Sequence, residues 1–242
     1  MSRIASGGIG AFGNLIVRDF GYTNFTAILF SMPVGVIQIG SILLSGWIAT
    51  RVGRKGPVIT GLACFPTTGA LIMLLVPRSE NNKGVLLFGY YLVQCLGAIT
   101  PMVYSWSSQN TGGDTKKKSS SAVMFMGMCT GNIIGPLLYN VKDAPTYRPG
   151  LIANLVIFVV VGALGLLIPL YLMALNRWHA KKREELGKRG DIVDESMLQK
   201  KQREDDKAIE LEMSENQTRA VEEDNGLLDK TDLKNEDFIY VY

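Results

Sequence analysis

Long uncharged stretches divide the first three quarters of the chain. Uncharged runs of 31, 22, 30, 23 and 28 residues follow Asp19, Lys55, Lys83, Lys118 and Arg148. Each run is longer than the roughly 20 apolar residues with which a helix crosses the hydrocarbon core of a bilayer. The pattern therefore predicts five transmembrane helices, at about residues 26–49, 57–76, 85–108, 120–140 and 151–175.

The segment before the first predicted helix has a different character. Only 14 uncharged residues lie between Arg3 and Arg18, and four of them are glycine. Such a stretch is too short to span a bilayer, and its glycine content disfavours a helix. We expect residues 1–25 to form an external segment, the remnant of the end of a preceding helix.

Charge is concentrated at the C-terminal end of the chain. Residues 1–176 contain 12 Lys and Arg and 4 Asp and Glu, whereas residues 177–242 contain 13 and 18. A soluble domain distributes charge over its whole surface, which 16 charges in 176 residues cannot do. The composition predicts an all-α integral membrane protein, with a transmembrane domain at residues 26–176 and a disordered, charged cytoplasmic tail at residues 177–242.

Lysine and arginine are shared unequally between the two sets of flanks of the predicted helices, with 12 in one set and 6 in the other. Basic residues remain preferentially on the cytoplasmic side of a membrane. We therefore expect the N-terminus outside and the tail inside. The larger set is Arg51, Arg54, Lys55, Lys116, Lys117, Lys118, Arg177, Lys181, Lys182, Arg183, Lys188 and Arg189, and the smaller set is Arg3, Arg18, Arg78, Lys83, Lys142 and Arg148.

The small number and the positions of the cysteine and histidine residues argue against an enzyme. The cysteines Cys64, Cys95 and Cys129 fall in three different predicted helices, without the spacing of a metal site. The only histidine, His179, follows the last predicted helix. We expect a protein that is not an enzyme, has no cofactor and no metal, and does not bind nucleic acid.

The most specific local motif is a basic turn between the first two predicted helices, Gly46-Trp-Ile-Ala-Thr-Arg51-Val-Gly53-Arg54-Lys55. It resembles the Gly-x-x-x-Asp-Arg-x-Gly-Arg-Arg loop of the major facilitator superfamily of transporters. Glycine permits the tight turn, and the basic residues can pair with carbonyls or carboxylates at helix ends that shift during transport. The resemblance implies a gating loop formed by Gly46, Arg51, Gly53, Arg54 and Lys55.

Two observations bear on that gating role. Thr50 stands where the resembled loop has its acidic residue, so the charge-relay part of the role is in question. A plain positive-inside loop is the alternative reading of the same residues.

Several segments in order resemble the fungal allantoate permease family of anion:cation symporters. Members of that family import small organic anions such as allantoate, nicotinate, pantothenate and biotin, and contain two six-helix halves. The resemblance implies that this chain is the C-terminal half, either because the gene is truncated or because upstream coding sequence is missing. The segments are residues 104–106, 110–112, 131–136, 143–145, 147–150 and 232–240.

Polar side chains within the predicted helices fall on stripes that the resembled fold turns toward its central cavity. A polar group in lipid is costly and therefore faces protein or water. The candidates for substrate contact are Gln38, Gln94, Trp106 and Asn132, which could form hydrogen bonds or stack on a substrate. For each amide a role in packing between helices is an equal alternative.

The sequence therefore predicts a truncated multi-pass transporter that resembles proton-coupled symporters of small organic anions. The alternative is a non-transporting membrane protein, either an inert remnant or a subunit that needs a separate N-terminal half. No Asp, Glu, Lys, Arg or His lies inside the predicted helices, so we expect proton coupling to lie elsewhere or to be lost. Expected partners are the lipid bilayer, a separate transporter half and, with that half, an organic anion. We expect the plasma membrane, or the endoplasmic reticulum if the chain is retained.

Overall fold

The computed structural model describes residues 2–144, 146–185, 231–233 and 238–242, and in these residues the secondary structure is helical, with no strand. Short 3₁₀ helices occupy Glu80–Asn82, Cys95–Ala98 and Val141–Asp143. The α-helices are α1 (Ser2–Arg18), α2 (Asn24–Leu29), α3 (Met32–Val52), α4 (Lys55–Leu75), α5 (Lys83–Gln94), α6 (Ile99–Gln109), α7 (Asp114–Leu137) and α8 (Arg148–Glu185).

Four helical stretches in the described part of the chain are long and apolar enough to cross a membrane. They match the first, second, third and fifth predicted spans and cover Asn24–Val52, Lys55–Leu75, Lys83–Gln109 and Arg148–Arg183. The predicted fourth span corresponds to α7, a helix of 24 residues that begins with Asp114 and three lysines and is less apolar than the others. Multi-pass membrane insertion follows from the four stretches, and the total of five crossings stays a prediction.

Helix α4 lies at the centre of the bundle and packs against α5 on one side and α8 on the other. Small residues allow close approach on both sides. A Cβ atom added to Gly69 would lie 2.5 Å from the backbone oxygen of Gly89, and one added to Gly56 would lie 2.7 Å from that of Gly165. These helices therefore pack through their backbones, as is common in membrane bundles.

The glycine-rich N-terminal segment forms a helix, α1, that packs along α7, and its external position stays a prediction. A Cβ atom on Gly135 would lie 2.2 Å from the backbone oxygen of Ile4, and one on Gly131 would lie 2.9 Å from the Cβ atom of Arg3. Contact with α7 compensates for the weak intrinsic helix propensity of glycine. Arg3 consequently lies about 22 Å along α1 from Arg18, not at the external end where the charge count placed it.

The other basic residues that the structure describes separate to the two ends of the bundle as the charge count predicts. At the end predicted to be external, the Lys83 Nζ atom donates to the Gly21 oxygen at 3.0 Å, and the Arg78 Nη2 atom donates to the Thr146 oxygen at 2.9 Å. The turn after α3 and the last turns of α8 lie at the opposite end. This separation fits the predicted grouping of the basic residues, and which end faces the cytoplasm stays a prediction.

Helix α3 presents much of its apolar surface outward. Val36, Leu43 and Trp47 are each more than half exposed. In a membrane protein, apolar surface that the other described residues leave uncovered faces lipid or other protein.

The structure describes residues 177–185, 231–233 and 238–242 of the predicted tail. Helix α8 continues without interruption to Glu185, and residues 231–233 and 238–242 pack against the helical bundle. The remainder of the predicted tail, residues 186–230 and 234–237, lies outside the described residues.

Candidate functional site

The third membrane-length stretch changes its helical geometry near its middle. The α-helical pattern of α5 ends at Gln94, a 3₁₀ segment covers Cys95–Ala98, and α6 begins at Ile99. Pro101 has no N–H group to donate to the carbonyl of Gly97, four residues earlier. The missing N–H group of Pro101 therefore explains the change in helical geometry. A 3₁₀ stretch within a helix is typical of functional hinges.

Two of the predicted substrate-contact residues meet beside this segment. The Gln38 Nε2 atom donates a hydrogen bond to the Gln94 Oε1 atom at 3.3 Å. Gln38 also packs against Gly97, where an added Cβ atom would lie 3.2 Å from the Gln38 Cγ atom. Both glutamines are half-buried, so their amides remain accessible from outside the bundle.

Gln94 and the polar side chains that follow it on α6 are together called the polar stripe. Within α6, Pro101, Ser105 and Gln109 are spaced four residues apart and therefore share one helix face. The Lys55 Nζ atom, at the start of α4, donates to the Ser105 Oγ atom at 2.9 Å and to the Gln109 Oε1 atom. Lys55 is 5% exposed, which places a buried positive charge at the basic end of the stripe.

The other two predicted contact residues lie elsewhere. Trp106 is buried, and its Nε1 atom donates to the Val241 oxygen at 2.7 Å. Asn132 is exposed on α7, and its backbone packs against Gly7 of α1. Among the described hydrogen bonds, none joins Asn132 to Gln38 or Gln94.

The basic turn has the geometry that its sequence predicts. Gly53 ends α3 with a φ angle of 68°, and its N–H group donates to the Ala49 oxygen. A positive φ angle costs glycine little and other residues more, which explains the glycine at this position. The Thr50 hydroxyl donates to the Gly46 and Trp47 oxygens of its own helix.

The basic side chains of the turn contact aromatic rings and side-chain oxygens. The Arg51 guanidinium lies 5.4 Å from the centroid of the Trp47 ring, and the Arg54 guanidinium lies 5.7 Å from that of Tyr242. Lys55 contacts the amide oxygen of Gln109. The sequence predicted partners at helix ends, and Gln109 is the last residue of α6.

Sequence reasoning missed one buried polar pair. The Asn154 Nδ2 atom donates to the Tyr139 hydroxyl at 2.7 Å, and Asn154 is completely buried. Its Oδ1 atom accepts no hydrogen bond from the described residues, and the side chain lines a small apolar cavity together with Tyr90 and Leu151. The sequence contains one indication of this pair, because Asn154 is the only amide side chain in the predicted span 151–175.

The relatives that this chain resembles are fungal transporters. The chain is 30% identical over 159 residues to the MFS-type transporter cnsL of Penicillium expansum, which is 65% of this chain and 33% of the relative. It is 31% identical over 224 residues to the high affinity cysteine transporter of Saccharomyces cerevisiae, which is 88% of this chain and 39% of the relative. No protein-family model and no solved structure matches the chain.

The comparisons support a resemblance to fungal transporters in general and do not single out the allantoate permeases. The Saccharomyces cerevisiae allantoate permease is 26% identical over 191 residues, which is 76% of this chain and 34% of the relative. That identity does not exceed the identity to transporters with other names. The chain spans about a third of the length of the curated relatives it matches, between 29% and 39%.

Proposed function

We propose that this chain, whose homologues are fungal transporters of the major facilitator type, forms one half of a transporter for small organic anions. In this proposal Gln38, Gln94 and Lys55 line its side of the substrate pathway. The observation that carries the proposal is the polar stripe on α5 and α6, with the Gln38–Gln94 hydrogen bond beside the 3₁₀ segment.

A polar stripe on a membrane-length helix favours a water-filled or protein-covered face. Gln94 is half-buried and Ser105 is exposed. Neighbouring helices present apolar faces that are suited to contact lipid. An amide or hydroxyl facing lipid would lose its hydrogen bonds with water. From Gln94 to Ser105 the stripe extends about 16 Å, roughly half the thickness of the hydrocarbon core.

The charge of this region favours an anion as the substrate. Residues 20–79 and 81–113, which include α3 and α6, contain no Asp or Glu. Lys55 places a positive charge at one end of the stripe. A pathway with one sign of charge raises the local concentration of ions of the opposite sign.

The amides of Gln38 and Gln94 are suited to a substrate carboxylate. Each amide offers two donors and one acceptor oxygen, so it can bind a carboxylate and also a substrate amide or amine. Cysteine and allantoate, named for two of the relatives, both carry a carboxylate group. We therefore propose a small carboxylate as the substrate class.

The basic turn provides a gating element in this proposal. Gly53 fixes its shape, and Lys55 links the start of α4 to the end of α6. A movement of α6 about the 3₁₀ segment would therefore act directly on the turn. We propose the plasma membrane as the compartment, since uptake of an external organic anion takes place there.

An uptake assay tests this function. The chain is co-expressed with the N-terminal half of the allantoate permease relative, in yeast cells deleted for their own organic-anion permeases. Saturable uptake of labelled allantoate, nicotinate, pantothenate or cysteine is expected. Failure to transport any small carboxylate despite stable co-assembly of the two halves would favour the alternative, a non-transporting membrane protein.

Two matched lysine variants test the role of the stripe. Lys55→Met keeps the length of the side chain and removes the charge, and it should lower uptake of an anion at least about tenfold, since a hydrogen bond to a charged group contributes about 1.5–3 kcal/mol. Lys142→Met removes an exposed lysine near the opposite end and should leave uptake unchanged. Equal effects of the two changes would contradict the assignment of Lys55.

A further inference from the structure

The basic end of the bundle holds a peptide contact that the proposed function does not use. Residues 231–233 and 238–242, together the C-terminal segment, pack against the ends of α6 and α8. Tyr240 and Val241 are each 3% exposed, although they lie in a chain terminus of polar composition. Burial of a terminus at this end requires specific contacts, since termini without them remain poorly ordered.

Asn110, which directly follows α6, and Asn176, within α8, bind the backbone of consecutive residues. The Asn110 Oδ1 atom accepts from the Val241 N–H at 2.7 Å, and its Nδ2 atom donates to the Val241 oxygen at 2.9 Å. Asn176, on α8, forms the same pair of bonds with Tyr240, at 2.8 and 2.7 Å. Each amide therefore satisfies both backbone groups of one residue. We call Asn110 and Asn176 the asparagine clamp.

Side-chain contacts add selectivity to these backbone bonds. The Tyr240 ring lies 5.1 Å from the Phe238 ring and 5.7 Å from the His179 ring. Its hydroxyl donates to the Asp232 Oδ2 atom at 2.9 Å. Burial, together with this hydrogen bond, raises the pKa of the Tyr240 hydroxyl.

Further contacts connect the C-terminal segment to the other helices at this end. Asp232 forms an ion pair with Lys116 at the start of α7. The Tyr242 ring lies against the Arg54 guanidinium of the basic turn. Gly112 leaves room for the segment, because an added Cβ atom would lie 2.9 Å from the Asp232 nitrogen. The segment thus touches the α3–α4 turn, α6, α7 and α8.

We infer that Asn110, Asn176 and Trp106 form a peptide-binding site whose ligand is the chain's own C-terminal segment, and that release of this segment frees the basic end of the bundle to open. The helices at this end are connected through the bound segment as well as through direct packing. The first part of the inference depends only on the contacts above. The second part rests on the proposed function, because opening matters only if the helices move during transport.

A thiol-labelling experiment tests the binding site. Cys64, Cys95 and Cys129 are replaced by serine, Val241→Cys is introduced as the reporter, and a maleimide is added to the full chain in lipid nanodiscs. Labelling should be slow, because position 241 is buried. Asn110→Ala and Asn176→Ala should each accelerate it about tenfold or more, since each removes two hydrogen bonds.

Control variants separate release of the segment from loss of the fold. Asn14→Ala, an exposed asparagine on α1, should not change the labelling rate. Tyr240→Ala alters only the C-terminal segment, and it should accelerate labelling even if the asparagine variants fail to fold. Fast labelling in the parent chain, or a rate that Tyr240→Ala leaves unchanged, overturns the inference.

Transport measurements test the consequence of release. In the assembled transporter, Tyr240→Ala should raise the initial rate of uptake several-fold if the bound segment limits opening. An unchanged or lower rate, in a variant that labels at least tenfold faster, overturns the part of the inference that concerns opening. Absence of uptake in the parent assembly is a failure of the proposed function and leaves the labelling result intact.

Discussion

Gln38 and Gln94 form a hydrogen bond of 3.3 Å that connects α3 to the last residue of α5. Gln94 directly precedes the 3₁₀ segment, whose geometry Pro101 favours. A movement at the 3₁₀ segment would therefore change the surroundings of both glutamine side chains. This relationship gives the proposed pathway its first test.

Replacing Gln38 and Gln94 by leucine should show energetic coupling between the two positions. Each single change should reduce uptake, and the double change should cost about 0.5–3 kcal/mol less than the sum, because residues in direct contact are not additive. Gln94→Leu combined with Asn132→Leu should be additive, since no hydrogen bond joins those residues. Initial uptake rates, normalised to the amount of protein in the membrane, provide the measurement. An additive result for Gln38 and Gln94 would show that the observed hydrogen bond does not operate in the working protein.

Substitution of Gly53 should abolish uptake while leaving the amount of protein in the membrane near normal. Valine resists a φ angle of 68°, so Gly53→Val blocks the turn, whereas Gly53→Asn should be milder because asparagine tolerates this region. Gly40→Val is the control, because that helical glycine has no atom within 4 Å of an added Cβ. Uptake and immunoblots of membranes measure both effects. A collapse in abundance for Gly53→Val would make the turn a folding and topology element and would end the gating interpretation.

The parts of the structure that the sequence predicted depend on local patterns. Uncharged runs located the helices because the cost of burying charge in lipid acts on each segment separately. The stripe from Gln94 to Ser105 stays a prediction from helical periodicity, whereas the turn at Gly53 followed from the conformational freedom of glycine. Each of these inferences needs only neighbouring residues.

The parts that were missed depend on contacts between distant residues. Trp106 was assigned to substrate because an indole in a membrane helix suggests stacking, but its partner is Val241, 135 residues away. The packing of α1 on Gly131 and Gly135 was missed because glycine content lowers helix propensity when a segment is considered alone. Neither partner can be identified from periodicity.

Gly135→Ala should destabilise the contact between α1 and α7. The added Cβ atom would lie 2.2 Å from the Ile4 oxygen, a backbone atom that cannot move without shifting α1. Overpacking of this kind costs about 1–3 kcal/mol, so the melting temperature of the purified protein in detergent should fall measurably. Gly127→Ala, on the same helix, has no atom within 4 Å of its added Cβ and should be neutral or slightly stabilising. Similar melting temperatures for the two variants would indicate that α1 does not pack on α7 in this way.

A reporter fused after Tyr242 should be protected from protease in sealed right-side-out vesicles. The C-terminal segment contacts Arg54 and Lys116, which belong to the larger group of basic residues, and that group is expected to face the cytoplasm. A tag inserted at Asn81, within the 3₁₀ turn Glu80–Asn82 at the opposite end, should be digested in the same vesicles. Digestion of the C-terminal reporter together with protection of the Asn81 tag would reverse the predicted orientation.

The 242-residue chain expressed alone should not transport. In the resembled fold, two halves enclose the substrate near the middle of the membrane, and alternating access moves one half against the other. In this structure Gln94 and Ser105 lie on an accessible face of the bundle, so the described helices do not enclose the stripe. Cells deleted for their own organic-anion permeases should therefore show no uptake of labelled allantoate, nicotinate or pantothenate above the vector control. Saturable, pH-dependent uptake by the chain without a co-expressed half would overturn this expectation and would require several copies of the chain to enclose the stripe together.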